Sequence, residues 1–232
     1  MFIYYLDLLD TDFLLFLSFA GAVTLALIGG IAFHEFCHAA SATALGDTTA
    51  QRMGRLTLNP MAHLDPFGTL LLFIAGFGWG KPVPVNTAAL RNGRTGMAMV
   101  AAAGPLSNLL LAAMLAVPIR LGLADWHSPF AVISSTTFWT TGDYVGLFLS
   151  AGILLNVILA VFNFIPLAPL DGFKVALGLL PADLARPIAE MERYGMVILM
   201  GLFFIGPLVG INFFDWVVRP AVEAIAGTLL GV

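Results

Sequence analysis

From Phe13 to Leu45 the chain runs for 33 residues with one carboxylate, Glu35, and no Lys or Arg. Such a run suits a helix across a bilayer, because a helix satisfies its own backbone polar groups where no water can. At about 1.5 Å per residue it exceeds the hydrocarbon thickness, so it tilts or protrudes. Gly46-Asp47 ends it. The remaining residues support a membrane setting: 59% are hydrophobic and 10% charged, with a mean hydropathy of +0.95. A soluble surface usually needs about 25% charged residues. No basic patch interleaved with aromatics is present, so nucleic acid is not an expected partner.

Three further apolar runs read as spans, about 95–121, 144–165 and 194–210. With 13–45 they predict an all-α polytopic membrane protein of about four transmembrane helices, forming one domain over residues 1–232. Residues 1–12 hold three aspartates and no Lys or Arg, unlike the basic start of a cleaved signal, so the first span is expected to be retained. Thr48 to Leu58 suggests a short β-strand region by its Thr and Leu content. Asn59 to Asn86 is Pro-rich and encloses Phe67 to Phe77, too short to span and fitting a re-entrant or interfacial segment. Phe130 to Trp139 reads as an exposed loop or interfacial piece, and Phe213 to Val232 as an amphipathic surface helix. The lone Cys37 cannot form an intramolecular disulfide.

Positive charges orient the spans. Arg52, Arg55, Lys81, Arg91 and Arg94 lie between the first and second, and Lys174, Arg186 and Arg193 between the third and fourth. Only Arg120 and Arg219 fall on the other side. The positive-inside rule then places 46–95 and 171–193 in the cytoplasm and the N-terminus outside. The expected location is the cell membrane.

The chemistry centres on His34-Glu35-Phe36-Cys37-His38. Histidines four apart share one helix face and can bind one ion, with Glu35 beside them to take a proton from water. Ionisable groups inside a span are costly without a function. A catalytic zinc site needs a third protein ligand and an open position. Asp171 ends the third span after Pro166 and Pro169, at a depth matching His34 and His38. His63, in a Pro-rich loop, is the rival third ligand. Asn108 and Asn163 are candidates to support the substrate or an oxyanion, or else to join helices. Asn156 reads as a packing amide and Cys37 as a small apolar filler. His127 has no visible partner.

Three segments together resemble the site-2 protease family of intramembrane metalloproteases: His34 to His38, Gly104-Pro105-Leu106-Ser107-Asn108, and Asn163 to Gly172. The likeness extends over roughly residues 15–200, and Trp79 to Val85 also looks like the small members. It implies one Zn2+ held by His34, His38 and Asp171, with Glu35 as general base and acid. It also implies a transmembrane protein as substrate, within the lipid bilayer. Family members often carry PDZ or CBS domains; this chain has room for neither, so any regulator is expected to be a separate protein. A strand edge within 48–58 would hold an unwound substrate by β-addition. The alternatives are a metal carrier, which has no need of Glu35, and a silent relative, which has no need of a full ligand set.

Overall fold

The computed structural model describes residues 12–75, 78–130 and 139–231. Helix α1 (Phe13–Ala44) begins where the Asp12 carboxylate accepts the Leu15 amide at 3.0 Å. It stops at Gly46, whose φ of +107° favours glycine. A short helix α2 (Thr49–Arg52), a 3-10 turn at Pro60–Ala62 and helix α3 (Pro66–Ala75) follow. The second and third spans are α4 (Gly93–Arg120) and α5 (Thr141–Asn163). The Asp143 carboxylate takes both the Thr140 N–H and hydroxyl at 2.7 Å at the start of α5. Helix α6 (Asp171–Leu179) leads to the fourth span.

That span is irregular. Helix α7 (Ala182–Glu190), a 3-10 turn, α8 (Gly195–Met200), a π turn at Gly201–Ile205 and a second 3-10 turn run on to Val209. Together Ala182–Val209 forms a 28-residue stretch long and apolar enough to cross a membrane. Four such candidate spans exist among the described residues. The first three lie within three residues of their expected bounds. The fourth starts earlier, because α7 carries Asp183, Arg186 and Glu190 and so reads as a polar loop. The 213–232 tail forms a π turn and helix α9 (Arg219–Leu230). Rather than merely covering a surface, it seats Val218 and Val222 against Ala112, Ala116, Ile153 and Val157 of α4 and α5.

The expected β region is not found. Among the described residues there is no strand, only an isolated antiparallel bridge between Leu64 and Gly80. Residues 48–58 form α2 and turns. The cause is local: buried Asp47 accepts the Thr49 N–H at 2.9 Å, bending the chain where a strand would start. Residues 67–77 contribute most of α3, about 15 Å long and too short to span. Residues 76–77, most of the 130–139 loop and residues 1–11 lie outside the described residues.

Span α5 is central. Of its most apolar window 56% is buried, against 17% for the fourth span. Leu15, Phe19, Ala22, Val23 and Leu27 of α1 pack on Leu147, Ala151 and Leu155 of α5. Small residues allow close backbone approach, the usual basis of helix association in lipid. A Cβ on Gly152, for example, would stand 2.7 Å from Leu115. The buried stripe of α1 continues at the same spacing through Gly30 to His34, His38 and Ala42. The face that docks on the bundle is therefore the face that presents the histidines.

Candidate metal centre

His34 and His38 are buried one turn apart on α1, with Nε2 atoms 3.0 Å from each other. Asp171, the first residue of α6, brings Oδ2 to 3.0 Å from His34 Nε2 and 3.1 Å from His38 Nε2. The turn between α5 and α6 makes this reach. A Cβ on Gly172 would meet the Phe164 carbonyl at 2.2 Å, so only glycine lets the loop close there.

The outer nitrogens define the tautomers. His34 Nδ1–H donates to Asn108 Oδ1 at 2.6 Å, and His38 Nδ1–H to the Val100 carbonyl at 2.7 Å. Both Nε2 lone pairs then face each other and the Asp171 carboxylate. With both rings neutral, three acceptor atoms converge, an arrangement that repels unless a cation, a metal ion or a proton, occupies it. Ligands about 2.0–2.1 Å from a tetrahedral zinc lie about 3.3 Å apart, close to the separations here. These residues fit a zinc ion, and the three form the one His/Cys/Asp/Glu group among the described residues able to hold a metal.

Asn108 is fully buried and is occupied by this support role. Its Nδ2 donates to the Gly30 carbonyl at 3.1 Å and to Asn156 Oδ1 at 2.8 Å. Asn156 in turn donates to the Gly152 carbonyl at 2.8 Å. A buried relay thus runs from α5 through α4 to the first histidine, orienting it as outer partners of metal ligands do. Asn156, read from sequence as a packing amide, is part of that relay. Gly104 makes the approach of α4 possible: a Cβ there would stand 2.4 Å from His38 Nε2 and 2.6 Å from His34 Nε2.

Glu35 does not join the metal group. It is half-buried and lines a cavity of about 310 Å3 together with His34, His38 and Asp171. Ile31, Val100, Leu159 and Phe162 give the cavity apolar walls, and Lys174 is the cation on its lining. Asn163 also lines it, with Nδ2 donating to the Leu159 carbonyl of its own helix at 2.9 Å. Met196 and Leu199 close one side from the fourth span. His63 sits apart from the cavity, fully buried, its Nε2 donating to the Thr57 carbonyl at 2.8 Å. His127, partnerless in the sequence reading, meets Asp143 Oδ1 at 3.0 Å and stacks on Trp139.

Sequence reasoning passed over two features. One is the Val100 carbonyl, since backbone groups leave no residue-type signal. The other is Asp47, read only as a helix stop. Its carboxylate accepts the Thr49 N–H and, at 2.6 Å, the Asn86 N–H. Burial works to raise its pKa, but hydrogen bonds from Thr49 and Asn86 outweigh that and hold the carboxyl below its ordinary value.

The sequence model of Peptidase family M50 matches residues 22–206, a stretch that includes the whole centre. YwhC of Bacillus subtilis, which carries a zinc-metalloprotease name, is 40% identical over 187 residues, covering 81% of this chain and 82% of that protein. The Rip2 proteins of Mycolicibacterium smegmatis and Mycobacterium tuberculosis bear the same kind of name. Each is 30% identical, over 87% and 84% of this chain and 74% and 72% of theirs. No solved structure matches the chain. Two buried histidines and an aspartate converge beside a glutamate inside an apolar bundle, and the family match spans all four: the chain belongs to peptidase family M50, the site-2 proteases, and is a zinc metalloprotease with membrane-spanning helices.

Proposed function

We propose that this protein hydrolyses peptide bonds in or near transmembrane segments of other membrane proteins. The observation that carries the reading is the position of Glu35 and the metal group in one cavity walled by apolar spans. His38 lies six residues from the end of α1 and His34 ten, about 9 and 15 Å below it. A soluble peptide would not reach that depth, whereas a lipid-embedded segment already lies there.

His34, His38 and Asp171 would hold the zinc, which when bound would supply Lewis acidity and make water acidic enough to ionise near neutral pH. Glu35 accepts a proton from the attacking water as the new C–O bond forms. It then delivers that proton to the nitrogen as the C–N bond breaks, leaving one carboxyl and one amine product. A helical substrate hides its carbonyls in internal hydrogen bonds, so a few residues must unwind in the cavity first. Asn163, on the cavity lining with its Nδ2 held by the Leu159 carbonyl, offers its side-chain Oδ1 to that unwound backbone. The charge asymmetry of the loops supports an active site near the cytoplasmic face, with the N-terminus outside.

The test pairs two substitutions. Glu35→Gln is expected to keep zinc at parent stoichiometry while cleavage of a single-span substrate falls by 10²-fold or more. Asp171→Ala is expected to lose both zinc and cleavage. Parent-level cutting by Glu35→Gln would remove Glu35 from the mechanism.

A further inference from the structure

One wall of the catalytic cavity belongs to no span. Gly78 to Val85 runs without helix or strand, and Gly80, Pro82, Val83 and Val85 line the cavity. At one end Val85 packs on Ala42, Leu90 and Val100, and at the other the Gly78–Trp79 backbone lies close to Gly68 and Leu72 of α3. Pro82 and Pro84 have no N–H to donate. Its middle is paired to the 60–64 turn by the Leu64–Gly80 bridge and by the Lys81 N–H donating to the His63 carbonyl at 2.7 Å. Its position bears on the chemistry. A Cβ on Gly80 would stand 3.2 Å from the His63 carbonyl and 3.6 Å from Glu35 Oε1, so this backbone passes beside the glutamate.

Two side chains from outside the segment tie it down. Asp47 takes the Asn86 N–H just past its far end. At the near end stands Arg55, only 7% exposed. Its Nη1 donates to the Ala62 carbonyl and, at 3.3 Å, to the Lys81 carbonyl. These two acceptors belong to the two backbones that the bridge joins. No ion pair among the described residues includes Arg55. A buried guanidinium without a counter-ion is costly, and it persists here through carbonyl contacts that an apolar residue could not make. The receiving turn is itself pinned by buried His63, bonded to the Thr57 carbonyl.

We propose that Arg55 is a positioning residue for the proteolytic reaction. It clamps the 60–64 turn to the 78–85 segment and so holds the cavity wall at a fixed distance from Glu35. The proposal rests on the reading of this cavity as the proteolytic site. The zinc ligands sit on α1 and α6, and Arg55 hydrogen-bonds to Ala50, Ala62 and Lys81 rather than to either helix, so loosening the clamp is expected to spare the metal. The cost falls on substrate placement: a receding wall lets the unwound segment settle in more than one register.

Arg55→Met removes every donor, and Arg55→Lys keeps the charge while losing the planar fork. Both are made in a Cys37→Ser, Val83→Cys background and compared with that background. Zinc per chain, the labelling rate of the thiol at position 83 by a small maleimide, kcat against KM, and the cut positions in a single-span substrate are measured. In R55M, zinc is expected at background level, labelling at least tenfold faster, kcat/KM at least tenfold lower, and cuts spread over neighbouring bonds. R55K is expected to fall between. Background labelling with a single cut position in R55M overturns the proposal, as does loss of zinc in both variants, which would make Arg55 a prop of the whole fold. Should R55M fail to fold, R55K decides, and labelling at the background rate overturns the clamp. If the unsubstituted protein binds zinc yet cuts nothing, the proposed function fails, while the labelling comparison still judges the clamp.

Discussion

Gly104 illustrates how much of this centre depends on an absent atom. The nearest obstacles to a side chain there are the Nε2 atoms of both histidines, at 2.4 and 2.6 Å. They have nowhere to retreat, because their outer nitrogens are bonded to Asn108 and to the Val100 carbonyl. Gly104→Ala is therefore expected to displace the ligand atoms and lower zinc content by tenfold or more, although alanine is the better helix former. Metal analysis of the purified variant checks this; a zinc-loaded, active G104A would mean that α4 can move away without consequence. The Gly104-Pro105 pair was readable as a point of close backbone approach. What it approaches was not, since the histidines are about 70 residues away in the chain.

At the scale of elements, the spans were readable and the short pieces were not. An apolar run of bilayer length has few alternatives, so α1, α4 and α5 follow directly from hydropathy. The 48–58 stretch had β-forming composition, but one buried aspartate bending the chain decided otherwise. Helix α9 was readable as amphipathic, yet its docking place was not. Val218 and Val222 press into the α4–α5 seam, so Val222→Asp would bury a carboxylate there without a partner. A loss of about 2.5–3.5 kcal/mol is expected, visible as a lower melting temperature in detergent with the zinc site chemically intact. An unchanged melting temperature would show that the tail is not part of the bundle.

For the whole molecule, a metal at this centre would also be a structural tie. The candidate ligands come from α1 and α6, which are 137 residues apart at His34 and Asp171, and their three polar atoms converge there. Removing zinc with a chelator is expected to lower the melting temperature, and returning zinc to restore it. The size of the shift should follow free zinc, as binding linkage requires. The same shift should shrink as pH falls and protons compete for the histidines. A melting temperature indifferent to chelation would mean that packing alone aligns the two helices.

By itself, the sequence determined the membrane class, the three long spans and the ligand candidates, because hydropathy and ligand spacing on a helix are local properties. It left the third ligand open between Asp171 and His63, and it left Asn108 open between substrate and helix contacts. Only the tertiary structure brought Asp171 to the histidines, buried His63 elsewhere against Thr57, and turned Asn108 toward His34. Those outcomes depend on how α4, α5 and α6 pack around α1, and a linear pattern does not encode which residues of distant spans share a depth and a face.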